Sequence, residues 1–384
     1  MQQIYLDNAA TTAPSPVVLE AMQPYLSAVY GNPSSVHQTG QAAKMAVDNA
    51  RAQVAETIGA ATSEIVFTAG GTEADFLALL GVLRASEGRH VVTTAIEHHA
   101  VLHTCELLEE MGYEVSVVLP NRAGIVDADA VMAAVRPDTA LVSVMWVNNE
   151  TGAVQPIVEL AARLQERGIP LHSDAVQALG PLPIDVNSVP VSLLSFSGHK
   201  IYGPKGVGAL YLRRGTPFRP IIRGGSQERN RRAGTENVAA VVGFAKAAEL
   251  LQSERDARNT HLAALRKRFL AELNRSVSDW RLNSPEQAVK QICNVMFSGV
   301  LSESLLMLLD LAGIAASGGS ACTAGSVQPS HVLQAMGLSD DDARSSVRFS
   351  FSSFNTLTEV DRAVAQIADA VSRLRSYDEN RLGS

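Results

Sequence analysis

Four groups of residues stand where side chains suit chemistry better than packing. The first is Lys200, which ends Ser195-Phe196-Ser197-Gly198-His199-Lys200 and precedes Gly203-Pro204-Lys205-Gly206, just after an apolar strand pattern. A lysine held among small and hydroxylated residues suits imine formation with a carbonyl cofactor. The plainer alternative is a surface lysine beside a turn, where most lysines stand. The second is Ala69-Gly70-Gly71-Thr72-Glu73, between a strand pattern and a helical one. Glycines let the backbone approach a phosphate, and a helix N-terminus offers free N–H groups and a favourable dipole. Thr72 doubles as a helix cap, the reading that fits many helices. The segment is neither a P-loop nor a GxGxxG fingerprint, which disfavours nucleotides.

The third is Asp174 in His172-Ser173-Asp174-Ala175-Val176-Gln177, at the end of an apolar strand pattern. Ligands gather at strand ends of open α/β sheets, and an aspartate there suits a protonated pyridine nitrogen; a helix cap is the competing reading. The fourth is Cys322, inside Ser317-Gly318-Gly319-Ser320-Ala321-Cys322-Thr323-Ala324-Gly325-Ser326. Small residues around a cysteine predict an accessible thiol, whereas Cys105 and Cys293 fall in helix and strand patterns and are expected to be buried and inert.

The elements that must position these groups read as α/β. From about residue 60 to 215, short apolar runs alternate with helical periodicity, as in 64–68, 91–94, 115–119, 141–146, 171–174, 191–196 and 207–212. Repeated β–α–β signals predict a largely parallel sheet covered by helices. A glycine- and arginine-rich segment, 223–235, reads as an exposed loop. A helical stretch from about 237 to 274 follows, with a break expected near Ser253, and the remainder mixes strands and helices.

The chain has 384 residues, 46% of them hydrophobic and 18% charged, with net charge −7. These values fit a folded protein and argue against nucleic acid as the main partner. No apolar run approaches the roughly 20 residues of a membrane helix. The opening Met1-Gln2-Gln3-Ile4-Tyr5-Leu6 has no signal-peptide character. Three widely spaced cysteines form neither a disulfide framework nor a zinc site, so no metal is expected. Free thiols on such a chain predict a cytoplasmic protein. The histidines at 37, 90, 99, 103 and 261 read as surface or capping residues.

Taken in order, these segments resemble the cysteine desulfurases of the NifS/IscS type, in the class V aminotransferase group of fold-type I pyridoxal-phosphate enzymes. The resemblance runs from Tyr5-Leu6-Asp7-Asn8-Ala9-Ala10-Thr11-Thr12 through Gly31-Asn32-Pro33-Ser34-Ser35, Glu97-His98 and Val147-Asn148-Asn149-Glu150-Thr151-Gly152. It continues through the lysine motif, Arg232-Ala233-Gly234-Thr235-Glu236-Asn237, the cysteine segment and Ser346-Val347-Arg348-Phe349-Ser350. It implies a mostly parallel seven-stranded sheet in a large cofactor-binding domain, residues 15–255. A smaller α+β domain would comprise 1–14 and 256–384.

The resemblance also implies roles. Lys200 would carry pyridoxal 5′-phosphate, Asp174 would pair with its ring nitrogen, and His98 would stack on the ring and act as a catalytic residue in proton transfer. Asn149 and Gln177 would serve the ring hydroxyl, and Gly71, Thr72, Ser197 and His199 the phosphate. Thr235 would reach the phosphate of a neighbouring subunit in a homodimer. Arg348 would clamp the substrate carboxylate, with Asn32 in a nearby segment. Cys322 would take sulfur from L-cysteine as a persulfide, leaving L-alanine, and pass it to an acceptor such as an iron–sulfur scaffold.

The residues after Cys322 resemble the longer-loop members, which favours direct delivery. Phe76 stands where the family usually has asparagine, and cofactor binding is expected to survive it. The rivals are another class V enzyme (a selenocysteine lyase, an aminotransferase or an epimerase) and a non-catalytic sulfur-trafficking scaffold. An accessible thiol at Cys322 favours sulfur abstraction over transamination.

Overall fold

The computed structural model describes the backbone of residues 3–318 and 328–382, and side chains as far as 377. The strands are β1 (Ile4–Tyr5), β2 (Ile65–Thr68), β3 (His90–Thr94), β4 (Glu114–Val118), β5 (Thr139–Ser143) and β6 (Leu171–Asp174). They continue with β7 (Leu193–Ser197), β8 (Gly208–Leu212), β9 (Trp280–Leu282), β10 (Ile292–Phe297), β11 (Ile314–Ala315) and β12 (Ser346–Ser350).

Seven strands form one sheet in the order β2-β8-β7-β6-β5-β3-β4. Its pairings are parallel except the two that β8 makes. Strands β3, β5, β6, β7 and β8 are buried at every residue, which is why they read as continuous apolar runs instead of alternating ones. The Gly71–Leu83 helix is buried along most of its length and lies against β7 and β8. A second core surrounds the three-stranded sheet β12-β10-β9, whose pairs are antiparallel, and includes Phe269, Phe297, Phe349 and Phe351. The chain start joins this part, because β1 pairs with β11 and Asp7 bridges to Ser350.

Three expectations need correction. The helix Val238–Ser276 runs unbroken for 39 residues, through Ser253. Its apolar stripe stops because the helix changes partners: residues up to Leu251 belong to the first core and those from Leu262 to the second. The polar stretch between spans the gap, and Ser253 Oγ donates to the Leu250 carbonyl at 3.2 Å without breaking the helix. The strand expected over 141–146 ends at Ser143. There the Met145 N–H turns to the Glu97 carboxylate, 2.8 Å away, while Val144 and Trp146 remain bonded to β6 carbonyls. His90 is neither surface nor cap; it is buried, with its ring nitrogens on Thr139 Oγ1 and Ser116 Oγ at 2.8 and 2.9 Å.

The arginine-rich loop is fastened inward. Arg229 and Arg231 donate to the carbonyls of Thr62 and Ser63. Within it, Glu228, Arg229 and Asn230 all have positive φ, at 47°, 55° and 62°. Each such residue without a glycine's freedom costs roughly 1–2 kcal/mol. Among the described residues, no helix is long and apolar enough to cross a membrane.

Candidate active site

The parallel strands end at a cavity of about 230 Å³ that Lys200, Asp174, His98, Gly71, Thr72 and Arg348 help to line. Lys200 closes a single 3-10 turn, Gly198–Lys200, directly after β7. Its Nζ donates to the Ala9 and Ala10 carbonyls at 2.5 and 2.8 Å, so the chain's first turn forms one wall.

Asp174 ends β6, and its Oδ1 accepts the Val176 N–H at 2.9 Å. Burial, then the nearby Asp75, push its carboxyl up to about 7. A protonated ring nitrogen beside it would favour the carboxylate form, which can accept its N–H. His98 is the N-cap of the His99–Glu110 helix, its Nδ1 accepting the Ala100 N–H at 3.1 Å. That bond leaves the ring proton on Nε2. Burial, then Lys200, lower its pKa to about 4, so the ring is neutral and presents an uncharged face.

The N-terminus of the Gly71–Leu83 helix has no side-chain cap. Its first N–H groups therefore face the cavity as an anion site, next to Thr72, Ser197 and His199. Gly71 is required by close approach: a Cβ there would stand 2.8 Å from Val176 Cγ2. His199 Nδ1 lies 3.1 Å from Thr11 Oγ1, and burial, then Lys200, lower its pKa to about 4. Gln177 donates to the Ala9 carbonyl at 2.9 Å.

Arg348, on β12, is 1% exposed. Its Nη1 donates to the Asn149 carbonyl at 2.9 Å and its Nη2 to Asp7 Oδ1 at 2.8 Å, while Nε is buried without a partner. An arginine so placed has a donor left for a planar anion such as a carboxylate. Two residues expected near the chemistry are elsewhere in the single chain. Asn32 is exposed and its side chain accepts the Ser34 N–H, and Thr235 is exposed in the loop before the long helix. Phe76 is half-buried and packs on the apolar cluster around the Gly71–Leu83 helix, and it does not line the cavity.

Cys322 lies outside the described residues, but the chain on either side of its segment is placed. Ser317 and Arg348 exchange backbone hydrogen bonds of 3.2 and 2.7 Å. On the far side, Ser330 Oγ donates to Glu150 Oε2 at 2.5 Å, and His331 Nε2 lies 3.0 Å from the Glu97 carbonyl. Both attachment points thus adjoin residues of the cavity wall, Arg348 on one side and Asn149 and His98 on the other. Cys105 and Cys293 are buried free thiols, and burial raises them to about 12 and about 11.

Sequence reasoning missed Asp75, whose buried Oδ1 faces His172 Nε2 at 3.5 Å. It sits three residues after Thr72, one helix turn along the same face, which is the signal that would have found it. His172 bonds Ser143 and Ser195 at 2.9 and 3.0 Å. Burial raises Asp75 to about 7 and Glu97 to about 8. With Asp174, these carboxyls keep protons on folding that the unfolded chain gives up above pH 4 or so, so stability falls as pH rises through that window. The lowered imidazoles of His98, His172 and His199 act oppositely, but only below about 6.5. The cofactor-free protein should therefore lose melting temperature between pH 6.5 and 8. A flat or rising profile in a thermal melt would show the three carboxyls already ionised.

The sequence profile of the aminotransferase class-V family matches residues 4–363. The chain belongs to that family, among its cysteine desulfurases. A cysteine desulfurase IscS from Dictyoglomus turgidum is 44% identical over 378 residues, covering 98% of this chain and 96% of the relative. The cysteine desulfurase NifS of Azotobacter vinelandii is 44% identical over 379 residues, covering 98% and 94%. A solved NifS-like protein superposes with a TM-score of 0.91 at 35% identity, over 97% of this chain and 100% of the other. A structure titled SspA in complex with cysteine gives 0.82 at 38%, over 92% and 100%. Family enzymes use pyridoxal 5′-phosphate. The residues present fit it: an amine, a buried carboxyl at a strand end, a neutral flat ring and an uncapped helix end converge on one cavity.

Proposed function

We propose that the protein removes sulfur from L-cysteine, leaving L-alanine and a persulfide on Cys322. The observation that carries this reading is the fastening of the Cys322 segment at Arg348 on one side and at Glu97 and Glu150 on the other. That attachment joins a cysteine-bearing segment to the wall that would hold a substrate carboxylate.

Pyridoxal 5′-phosphate, when bound, supplies an aldehyde for Lys200 and a ring that accepts the electron pair released at the substrate α-carbon. Asp174 would pair with the ring nitrogen, and His98 would stack on the ring. Gly71, Thr72, Ser197 and His199 hold the phosphate, and Asn149 and Gln177 serve the ring hydroxyl. Arg348 fixes the substrate carboxylate. Lys200, whose amine lies in the same cavity, would take the α-proton and later return it. The Cys322 thiol gives up its proton and its thiolate attacks the substrate sulfur: the carbon–sulfur bond breaks, a sulfur–sulfur bond forms, the β-carbon takes up the proton the thiol gave up, and the α-carbon regains the one it lost. Cysteine plus thiol thus becomes alanine plus persulfide, with no outside oxidant.

The same reading makes the protein a cytoplasmic homodimer in which Thr235 of each subunit serves its partner's phosphate. The division into residues 15–255 and the remainder places the change of core within the Val238–Ser276 helix. A sulfur-accepting protein, such as an iron–sulfur scaffold, then takes the persulfide sulfur.

The test is to incubate the holoenzyme with sulfur-labelled L-cysteine without reductant and to map the label by peptide mass spectrometry. The expected result is one added sulfur on the Cys322 peptide and one alanine per site. Label on Cys105 or Cys293, or pyruvate in place of alanine, would refute the assignment.

A further inference from the structure

A buried ion pair of residues that do not line the cavity holds the 223–235 loop. Arg51, on the Gln38–Thr57 helix, meets Glu228 with two hydrogen bonds of 2.5 and 2.8 Å. Both residues are 6% exposed. The partners are otherwise satisfied: Arg51 Nη1 donates to the Ile65 carbonyl and Glu228 Oε2 accepts the Phe67 N–H, each at 2.9 Å. The guanidinium also lies 4.7 Å from the Phe67 ring centre. Four residues on, Arg232 grips Glu73 at 2.7 and 3.2 Å, and Glu73 accepts the Ala69 N–H at 3.1 Å. Glu73 follows Thr72 in the phosphate cradle.

Three successive left-handed residues, Glu228, Arg229 and Asn230, start at the first grip and lead toward the second. A buried ion pair contributes little net stability over apolar side chains of similar volume, and successive left-handed residues oppose folding. A loop that had only to close the chain would need neither. We infer that Arg51 and Glu228 are positioning residues, which force the loop into a fixed arch and set Thr235 at the height where it enters the partner's cofactor site. This rests on the homodimer reading above. It goes beyond that reading by assigning the arch to two residues that touch no cofactor.

The test is a mutant cycle read by the dissociation constant of pyridoxal phosphate, titrated by visible absorbance, with sedimentation to follow the dimer. Thr235→Ala is expected to weaken cofactor binding about tenfold, as loss of a hydrogen bond to a charged group does. The double variant Arg51→Met with Glu228→Gln is expected to weaken it about as much. Combining it with Thr235→Ala should add little, since coupled residues are not additive. If the double variant does not fold, Arg51→Lys, which keeps the charge but loses the two-pronged fit, enters the same cycle.

No effect of the pair, or full additivity with Thr235→Ala, overturns the inference while leaving the dimer reading intact. No effect of Thr235→Ala overturns the dimer reading, and the inference with it.

Discussion

Alanine in place of Cys322 should leave the cofactor's visible absorbance unchanged and lower the release of alanine and sulfide from L-cysteine by at least about a thousandfold. The first half follows from position. The residues that fit the cofactor are Lys200, Asp174, His98 and the Gly71–Thr72 helix end, and each is held by elements outside the 319–327 segment. The second half follows from chemistry. Only a thiolate attacks the substrate sulfur, and the other two cysteines cannot substitute. Cys105 and Cys293 are buried and pushed far above neutrality, so neither carries a useful thiolate fraction. The assay uses L-cysteine with a reductant, and both products are quantified beside the absorbance spectrum. Equal turnover in both proteins would replace sulfur transfer to Cys322 by a lyase or transaminase reading. Loss of the absorbance as well would mean that the segment shapes the cofactor site.

Much of this site was legible because its chemistry falls on strand ends and turns, where sequence pattern and position coincide. Asp174 ends β6, and Lys200 and Thr72 stand three and four residues past the ends of β7 and β2. What the pattern could not show depends on closure over long distances. The carbonyls of Ala9 and Ala10 that hold Lys200 come from about 190 residues earlier, and no side chain marks them. Asp7 as the partner of Arg348 is separated from it by 341 residues. The expected break at Ser253 failed for a related reason. A polar interval in helical periodicity reads as a stop, yet here it marks one helix passing between two cores. Phe76 departs from the family's usual asparagine, and it packs on an apolar cluster and does not line the cavity.

Lys200 carries the second large expectation. Lys200→Ala should abolish covalent capture of the cofactor, seen as loss of the borohydride-fixed adduct by mass spectrometry. Turnover should fall by about 10³-fold or more, because the same amine is lost as base, a role worth about 10²–10⁴ by itself. The surroundings argue that this amine is held for reaction. It lies just after β7 on a short turn, against two backbone carbonyls, in the cavity that Asp174 also lines. Lys200→Arg separates the two functions of charge and nucleophile, since a guanidinium stays protonated and cannot form the linkage. It should keep the positive charge that lowers His98 and His199, and yet fail to capture the cofactor. Both variants should still bind pyridoxal phosphate without a covalent bond, through the Gly71–Thr72 helix end and Asp174, and dialysis should then remove it. Turnover within tenfold of the unmodified enzyme in Lys200→Ala would transfer the base to another group, and His98, which lines the same cavity, would be the first to examine.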